Sequence, residues 1–220
     1  MEQLPYLRRD YRRGDLDETD VAADPIVQFC SWLEEAVTAL AGGPGEPNAM
    51  TLATADARGR PSSRTVLLKG VDARGFVFYT NRTSRKAAEI AANPFVALTF
   101  RWDVLERQVC VTGRAEPLPD AESDAYFASR PLGSQLSSWA SPQSQVLQDR
   151  SALESLFQAA REQFIVADAD DGVVPRPPHW GGYVVVPSTV ELWQGRASRL
   201  HDRLCYRRGG NGWVLERLAP

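Results

Sequence analysis

Hydrophobic and polar positions follow two different rhythms along this chain. Between residues 25 and 40 the apolar side chains Ile26, Phe29, Cys30, Leu33, Val37 and Leu40 recur three and four positions apart, which is one face of an α-helix. Asp24 stands before that face as a side-chain cap, and Pro25 takes the first helical position, where a missing N–H is harmless. Gly42, Gly43, Pro44 and Gly45 end the helix. From residue 49 the period shortens to two. The runs 49–56, 62–71 and 75–80 read as strands separated by turns at 57–59 and 72–75, an antiparallel meander. A helix at 84–93 interrupts it, and strands at 95–102 and 106–118 follow. Helices at 120–129 and 149–164 come next, then a loop that begins with the acidic run 168–171 and closes at Pro175, Pro177 and Pro178. Four last strands are expected at 180–186, 189–194, 200–207 and 213–218. No repeat or convincing linker divides the pattern. It predicts one domain over 21–220, a β-rich (α+β), barrel-like sheet dressed with helices. Residues 1–20 have no periodicity, gather Arg8, Arg9, Arg12 and Arg13, and read as a mobile arm.

Composition narrows the function classes. Among 220 residues, 25 Lys plus Arg stand against 28 Asp plus Glu, a net charge of −3, which argues against a nucleic-acid partner. Hydrophobic residues at 43% and charged residues at 24% are globular proportions, far from those of a disordered chain. Cys30, Cys110 and Cys205 form no CxxC, which argues against a disulfide framework or zinc ribbon, and two histidines, His179 and His201, are too few for a His-rich metal site. Neither a signal-type apolar run nor a span of ~18 apolar residues occurs, so no membrane partner and a cytoplasmic location are expected.

Candidate chemistry lies in three groups that pair cations with hydroxyls. No nucleophile elbow, Walker loop, HExxH or strand-to-helix GxGxxG is present. In the first group Arg64 and Lys69 flank Thr65, Val66, Leu67 and Leu68; a spacing of five puts them on opposite strand faces unless a bulge intervenes. Tyr79, Thr80 and Asn81 end the next strand, and Thr83-Ser84-Arg85-Lys86 opens a helix. That opening is either a phosphate seat or an ordinary N-cap with a solvated Arg-Lys pair. The second group, Tyr126, Arg130 and Ser134, repeats every four residues. It would project to one side if helical geometry persists across Pro131, as an anion clamp or an incidental surface. In the third, Arg199, His201 and Arg203 share one strand face by alternation, an arrangement that calls for anions or full solvation.

Seven motifs in order, RTVLLK at 64–69, FYTN at 78–81, SRKA at 84–87, LERQV at 105–109, YFASRP at 126–131, WGGY at 180–183 and ELWQGRASRLHDR at 191–203, resemble the pyridoxine (pyridoxamine) 5′-phosphate oxidases. The resemblance covers nearly the whole chain. It implies an antiparallel FMN-binding split β-barrel with peripheral helices, working as a homodimer with flavin sites at the interface. It also implies oxidation of pyridoxine 5′-phosphate and pyridoxamine 5′-phosphate by O2 to pyridoxal 5′-phosphate and hydrogen peroxide, with ammonia from the amine. By the same resemblance Arg64, Lys86 and Ser144 hold the FMN phosphate and ribityl chain with Arg85 close by, and the stretch Thr65, Val66, Leu67, Leu68 and Lys69 belongs to the cofactor site. Tyr79, Thr80, Gln108, Gln143, Trp193 and Arg203 line the rest of the flavin. Lys69, Tyr126, Arg130 and Ser134 grip the substrate phosphate, Arg199 and His201 lie over the pyridine ring as the catalytic pair, and Arg8 and Tyr11 belong to an arm closing across the site. No metal is implied. A flavin reductase would share the flavin half without the substrate clamp, and a non-catalytic flavin or pyridoxal phosphate binder would retain the pockets without turnover.

Overall fold

The structure, a computed structural model, describes residues 6, 10–165 and 173–220; Arg8 and the acidic run 168–171 lie outside the described residues. The first helix, α1 (Pro25–Ala39), begins where the capping pattern places it, with the Asp24 carboxylate accepting from the Ile26 N–H at 2.8 Å. Its apolar face inserts Phe29 into the sheet interior, where its ring meets Phe76 and Phe100 at centroid distances of 4.9 and 4.8 Å.

The sheet contains β1 (Ala49–Ala55), β2 (Pro61–Leu67), β3 (Gly70–Asp72), β4 (Gly75–Asn81), β5 (Phe95–Trp102), β6 (Arg107–Pro117), β7 (Trp180–Gln194), β8 (Asp202–Gly209) and β9 (Gly212–Arg217). Every pairing among the described residues is antiparallel, in the order β2-β1-β5-β6-β7-β4-β3, with β8 and β9 continuing from β7. The core lies on the concave side, where Leu52, Phe76, Phe78, Leu98, Phe100, Val109, Val111, Val185 and Leu192 are fully buried. The helices are α1, α2 (Arg85–Ala92), α3 (Asp120–Ala128), α4 (Leu132–Ala140) and α5 (Arg150–Phe164). Among the described residues no helix is long and apolar enough to cross a membrane.

Four sequence expectations need correction. The run 62–71 is not one strand: β2 stops at Leu67 and β3 starts at Gly70, with Leu68 turned into the core. The meander therefore fails, because β2 pairs with β1 while β3 pairs with β4 at the other end of the sheet. The strands expected at 180–186 and 189–194 are one strand, β7, which absorbs Pro187 at a register shift opposite Thr112 and Gly113. Helical geometry does not run on through Pro131; α3 ends at Ala128 and a separate α4, absent from the sequence reading, starts at Leu132.

Residues 10–20 pack on the domain. Leu16 is buried, and the Arg12 and Arg13 backbone N–H groups donate to Glu106 Oε2 at 2.8 and 2.9 Å. At the opposite end of the sheet, the glycines of WGGY clear space for bulky neighbours. Gly182 pairs with Tyr79 across β4 and β7, and a Cβ there would sit 2.7 Å from the Tyr79 ring and 2.6 Å from Leu118. Gly182→Ala is therefore expected to destabilise the fold by about 1–3 kcal/mol through overpacking. Urea unfolding checks this, and a native-like midpoint would contradict the close approach.

Candidate functional site

Only two residues, Leu68 and Lys69, connect β2 at one end of the sheet path to β3 at the other. Because a residue spans at most ~3.6 Å, the two ends must approach each other and the sheet must curl. Leu68 N–H donates to Asn48 O and Lys69 N–H to Val77 O, both at 2.8 Å, so one step of chain bonds to each side of the seam. The same break answers the spacing question: Arg64 and Lys69 line one cavity because the strand ends between them.

That cavity, about 860 Å³, opens at the seam. Arg64, Thr65, Val66, Leu67 and Lys69 form one wall, with Tyr79, Thr80 and Asn81 from the end of β4, Lys86 from α2 and Gln143 from the loop after α4. Tyr126, Arg130 and Ser134 line the same cavity as a second wall that adjoins Tyr79, so the first two sequence groups meet in one space despite the interrupted helix. Pro131 is the N-cap of α4, and it and Arg130, in the turn between the two helices, both line the cavity.

Lys86 is the electrostatic centre of the first wall. Its ammonium donates to Gln143 Oε1 at 2.7 Å, Thr80 Oγ1 at 3.2 Å and Ser84 Oγ at 3.3 Å. All three acceptors are neutral, and among the described residues no carboxylate forms an ion pair with it. Burial, reinforced by the Arg64 charge, lowers its pKa from the ordinary lysine range to about 8. Ser84 is fully buried and caps nothing with its side chain, and Asn81 Oδ1 instead accepts from Thr83, so the ordinary N-cap reading does not hold. Arg64 is anchored from behind by Thr54, Ser62 and Glu89. Arg85 turns out of the cavity to pair with Glu89 at 2.8 Å.

The second wall is aromatic as well as cationic. Tyr79 stacks on Tyr126 at 4.1 Å and on Trp180 at 5.3 Å, and the Arg130 guanidinium lies 4.7 Å from the Trp180 ring centroid while donating to Ser138 Oγ at 2.6 Å. Burial lowers the Arg130 pKa, with Tyr126 opposing the shift. Trp180, Ser138, Glu154 and Phe157 line this cavity and escaped the sequence reading; the aromatic start of WGGY was the available signal for Trp180.

The remaining expected site residues lie elsewhere in the chain. Ser144, with φ 72°, and Leu68 do not line the cavity. Gln108, Trp193 and Arg203 occupy neighbouring positions across β6, β7 and β8, where Arg203 forms a two-pronged pair with Glu191 at 2.8 and 3.0 Å. Arg199 and His201 do not share a strand face with Arg203. The strand begins only at Asp202, and Ser198 and Arg199 take left-handed φ angles of 56° and 63° in a 3₁₀ turn over Ala197–Arg199. His201 Nδ1 accepts the Arg196 N–H at 3.1 Å, which leaves the ring proton on Nε2. Its ring packs beside Trp193 at 4.7 Å and Tyr11 at 5.6 Å. Burial and the cations Arg199 and Arg101 push the His201 pKa down, so the neutral ring is favoured. The chain thus carries two separate assemblies: a cationic cavity at the seam, and an aromatic and arginine-rich cluster around the β7–β8 hairpin.

Comparison with known proteins covers both assemblies. Residues 33–164 match the family model described as pyridoxamine 5′-phosphate oxidase, and residues 180–220 match the pyridoxine 5′-phosphate oxidase C-terminal dimerisation region. The chain is 56% identical over 221 residues to the pyridoxine/pyridoxamine 5′-phosphate oxidase of Cupriavidus necator, with 100% of both proteins covered. It is 55% identical over 214 residues to that of Acaryochloris marina, covering 97% of this chain and 94% of the relative. Among solved structures, PhzG from Burkholderia lata, in complex with tetrahydrophenazine-1-carboxylic acid, superposes with a TM-score of 0.84 at 34% identity, covering 93% of this chain and 98% of that one. A pyridoxamine 5′-phosphate oxidase-related FMN-binding protein from Nostoc punctiforme gives 0.68 at 17% identity, covering 86% and 96%, and shares the fold. The curled antiparallel sheet is the split barrel of FMN-binding proteins, and the chain belongs to the pyridoxamine 5′-phosphate oxidase family of oxidoreductases.

Proposed function

We propose that this chain binds FMN and oxidises pyridoxine 5′-phosphate and pyridoxamine 5′-phosphate to pyridoxal 5′-phosphate in vitamin B6 synthesis and salvage. O2 becomes hydrogen peroxide, and the amine, with water, yields ammonia. The observation that carries the reading is the buried Lys86 ammonium, surrounded by neutral oxygens and sharing a cavity with Arg64. A desolvated cation without a carboxylate is costly, and a phosphate dianion removes that cost. The donor set suits FMN: Arg64 and Lys86 would bind the phosphate, and Tyr79, Thr80 and Gln143 would line the rest of the flavin. Bound there, FMN would supply the redox chemistry, as the acceptor of a hydride from C4′ of the substrate and the donor of electrons to O2.

The protein's own part is placement. Lys69 from the first wall, with Tyr126, Arg130 and Ser134 from the second, would supply another set of phosphate donors in the same cavity, which suits a substrate that carries its own phosphate. The match to a dimerisation region supports a homodimer in which the hairpin cluster of a second copy covers the cavity. In that assembly Gln108, Trp193 and Arg203 complete the flavin site, while Arg199 and His201 hold the pyridine ring against the flavin and Tyr11 closes over it. The PhzG relative was solved with a ligand that bears a carboxylate and no phosphate. Two cation clusters in one cavity favour two phosphorylated ligands here.

The direct test is O2 consumption by the flavin-loaded protein given either phosphorylated vitamer. Failure to take up FMN, or no O2 consumption with either substrate, would overturn the reading. FMN affinity is expected to hold steady between about pH 7 and about pH 8, where the phosphate is a dianion, and to fall above it as Lys86 loses its proton. Lys86→Met removes this dependence and weakens binding roughly tenfold or more, the value of a charge-assisted bond. Titration of FMN fluorescence against pH checks both; an affinity flat through pH 10 would place the phosphate elsewhere. Arg130→Ala is expected to raise KM for pyridoxamine 5′-phosphate by roughly tenfold or more with flavin content unchanged. Equal turnover of pyridoxine and its phosphate by the native enzyme would remove the substrate clamp from the account.

A further inference from the structure

The seam cavity has a polar foundation that does not face it. Glu89, on the second turn of α2, is 5% exposed, and its two oxygens receive four donors. Oε2 accepts from Thr54 Oγ1 at 2.5 Å, Ser62 Oγ at 2.6 Å and an Arg64 guanidinium nitrogen at 3.2 Å, while Oε1 accepts from Arg85 Nε at 2.8 Å. The same two hydroxyls accept from Arg64, each at 2.5 Å. Each hydroxyl has one proton, which it gives to Glu89, so its lone pairs are free for the guanidinium. The donor direction thus runs one way, from Arg64 through Thr54 and Ser62 to the carboxylate, with one direct bond as well.

We propose that Glu89 is the positioning residue of the phosphate seat, fixing the Arg64 guanidinium through Thr54 and Ser62 and trimming the local charge to suit a phosphate dianion. The proposal rests on the FMN reading above. Three cations, Arg64, Arg85 and Lys86, surround this end of α2, and Glu89 cancels one of them. Two positive charges remain, against the roughly −1.5 to −2 of a phosphate monoester at neutral pH. Burial opposes ionisation of Glu89, but the bonds from Ser62, Thr54, Arg85 and Arg64 outweigh it and hold the pKa at about 2. The carboxylate therefore stays charged wherever the enzyme works. Its geometric effect is to tie both terminal nitrogens of Arg64 on the side of β1 and α2, leaving little rotamer freedom to lose when the phosphate arrives.

The two flavins that differ only in the phosphate separate this role from general support of the fold. With full-length protein freed of flavin, the dissociation constants of FMN and riboflavin are measured for the native chain and for Glu89→Gln. The expected result is FMN binding weakened roughly tenfold, as for loss of a charge-assisted contact, with riboflavin binding changed by less than about twofold. Where Glu89→Gln does not fold, the double variant Thr54→Val, Ser62→Ala removes the hydroxyl relay without leaving an unpaired charge. It is expected to weaken FMN several-fold and to spare riboflavin. Equal losses for both flavins, or no loss for either, in a folded variant would overturn the positioning role. Native protein that binds riboflavin as tightly as FMN, or binds neither, would instead overturn the flavin-phosphate reading on which the proposal rests.

Discussion

The two ends of the sheet are tied together by Leu68 and Lys69, and the site follows from that short connection. A nine-stranded antiparallel sheet can lie open, but consecutive strands placed at opposite ends of the path cannot be far apart when two residues join them. The curl brings the end of β2 beside the end of β4 and the start of α2. Leu68 anchors the crossing in the core while Lys69 stays exposed. Cations that would repel one another on a flat strand are thereby gathered around a cavity, where an anionic ligand can offset their repulsion.

The charge at the seam is structured at two depths. Behind the wall, Glu89 and two hydroxyls hold both terminal nitrogens of Arg64. At the wall, Lys86 meets only neutral oxygens among the described residues and keeps a depressed pKa. The difference is functional in the proposed account: the buried carboxylate organises, and the cation left without one recruits. The second assembly, built on β6, β7 and the β7–β8 hairpin, presents aromatic faces and arginines. Two incomplete surfaces in one chain fit a protein whose C-terminal residues match a dimerisation region.

Much of this was legible from local pattern. Asp24 and Pro25 mark the start of α1, and the alternating run 95–102 coincides with β5, because both signals are local and nothing tertiary competes with them. Arg64 and Lys69 share one cavity with Tyr126, Arg130 and Ser134, two groups that local pattern kept apart, and the helix meant to carry the last three is broken at Pro131. What escaped depended on closure. Nothing before Gly70 announces that β2 ends, since Val66, Leu67 and Leu68 look like a continuous buried strand. The alternation of Arg199, His201 and Arg203 imitates a strand face, but two left-handed residues spend that stretch on a turn. Glu89 reads as an ordinary polar position on a short helix, and only the packing of α2 against β1 buries it.

The central claim is that one active site draws on both assemblies, from different copies of the chain. Complementation between two defective variants tests it most directly. Lys86→Met damages the seam cavity and Trp193→Ala the hairpin cluster, and each alone is expected to have little oxidase activity with pyridoxamine 5′-phosphate. After mixing under conditions that exchange subunits, half of the dimers are hybrids with one intact site of two, so activity should recover to about one quarter of the native value. No recovery in a mixture shown to contain hybrid dimers would contradict the shared site and return both assemblies to a single chain.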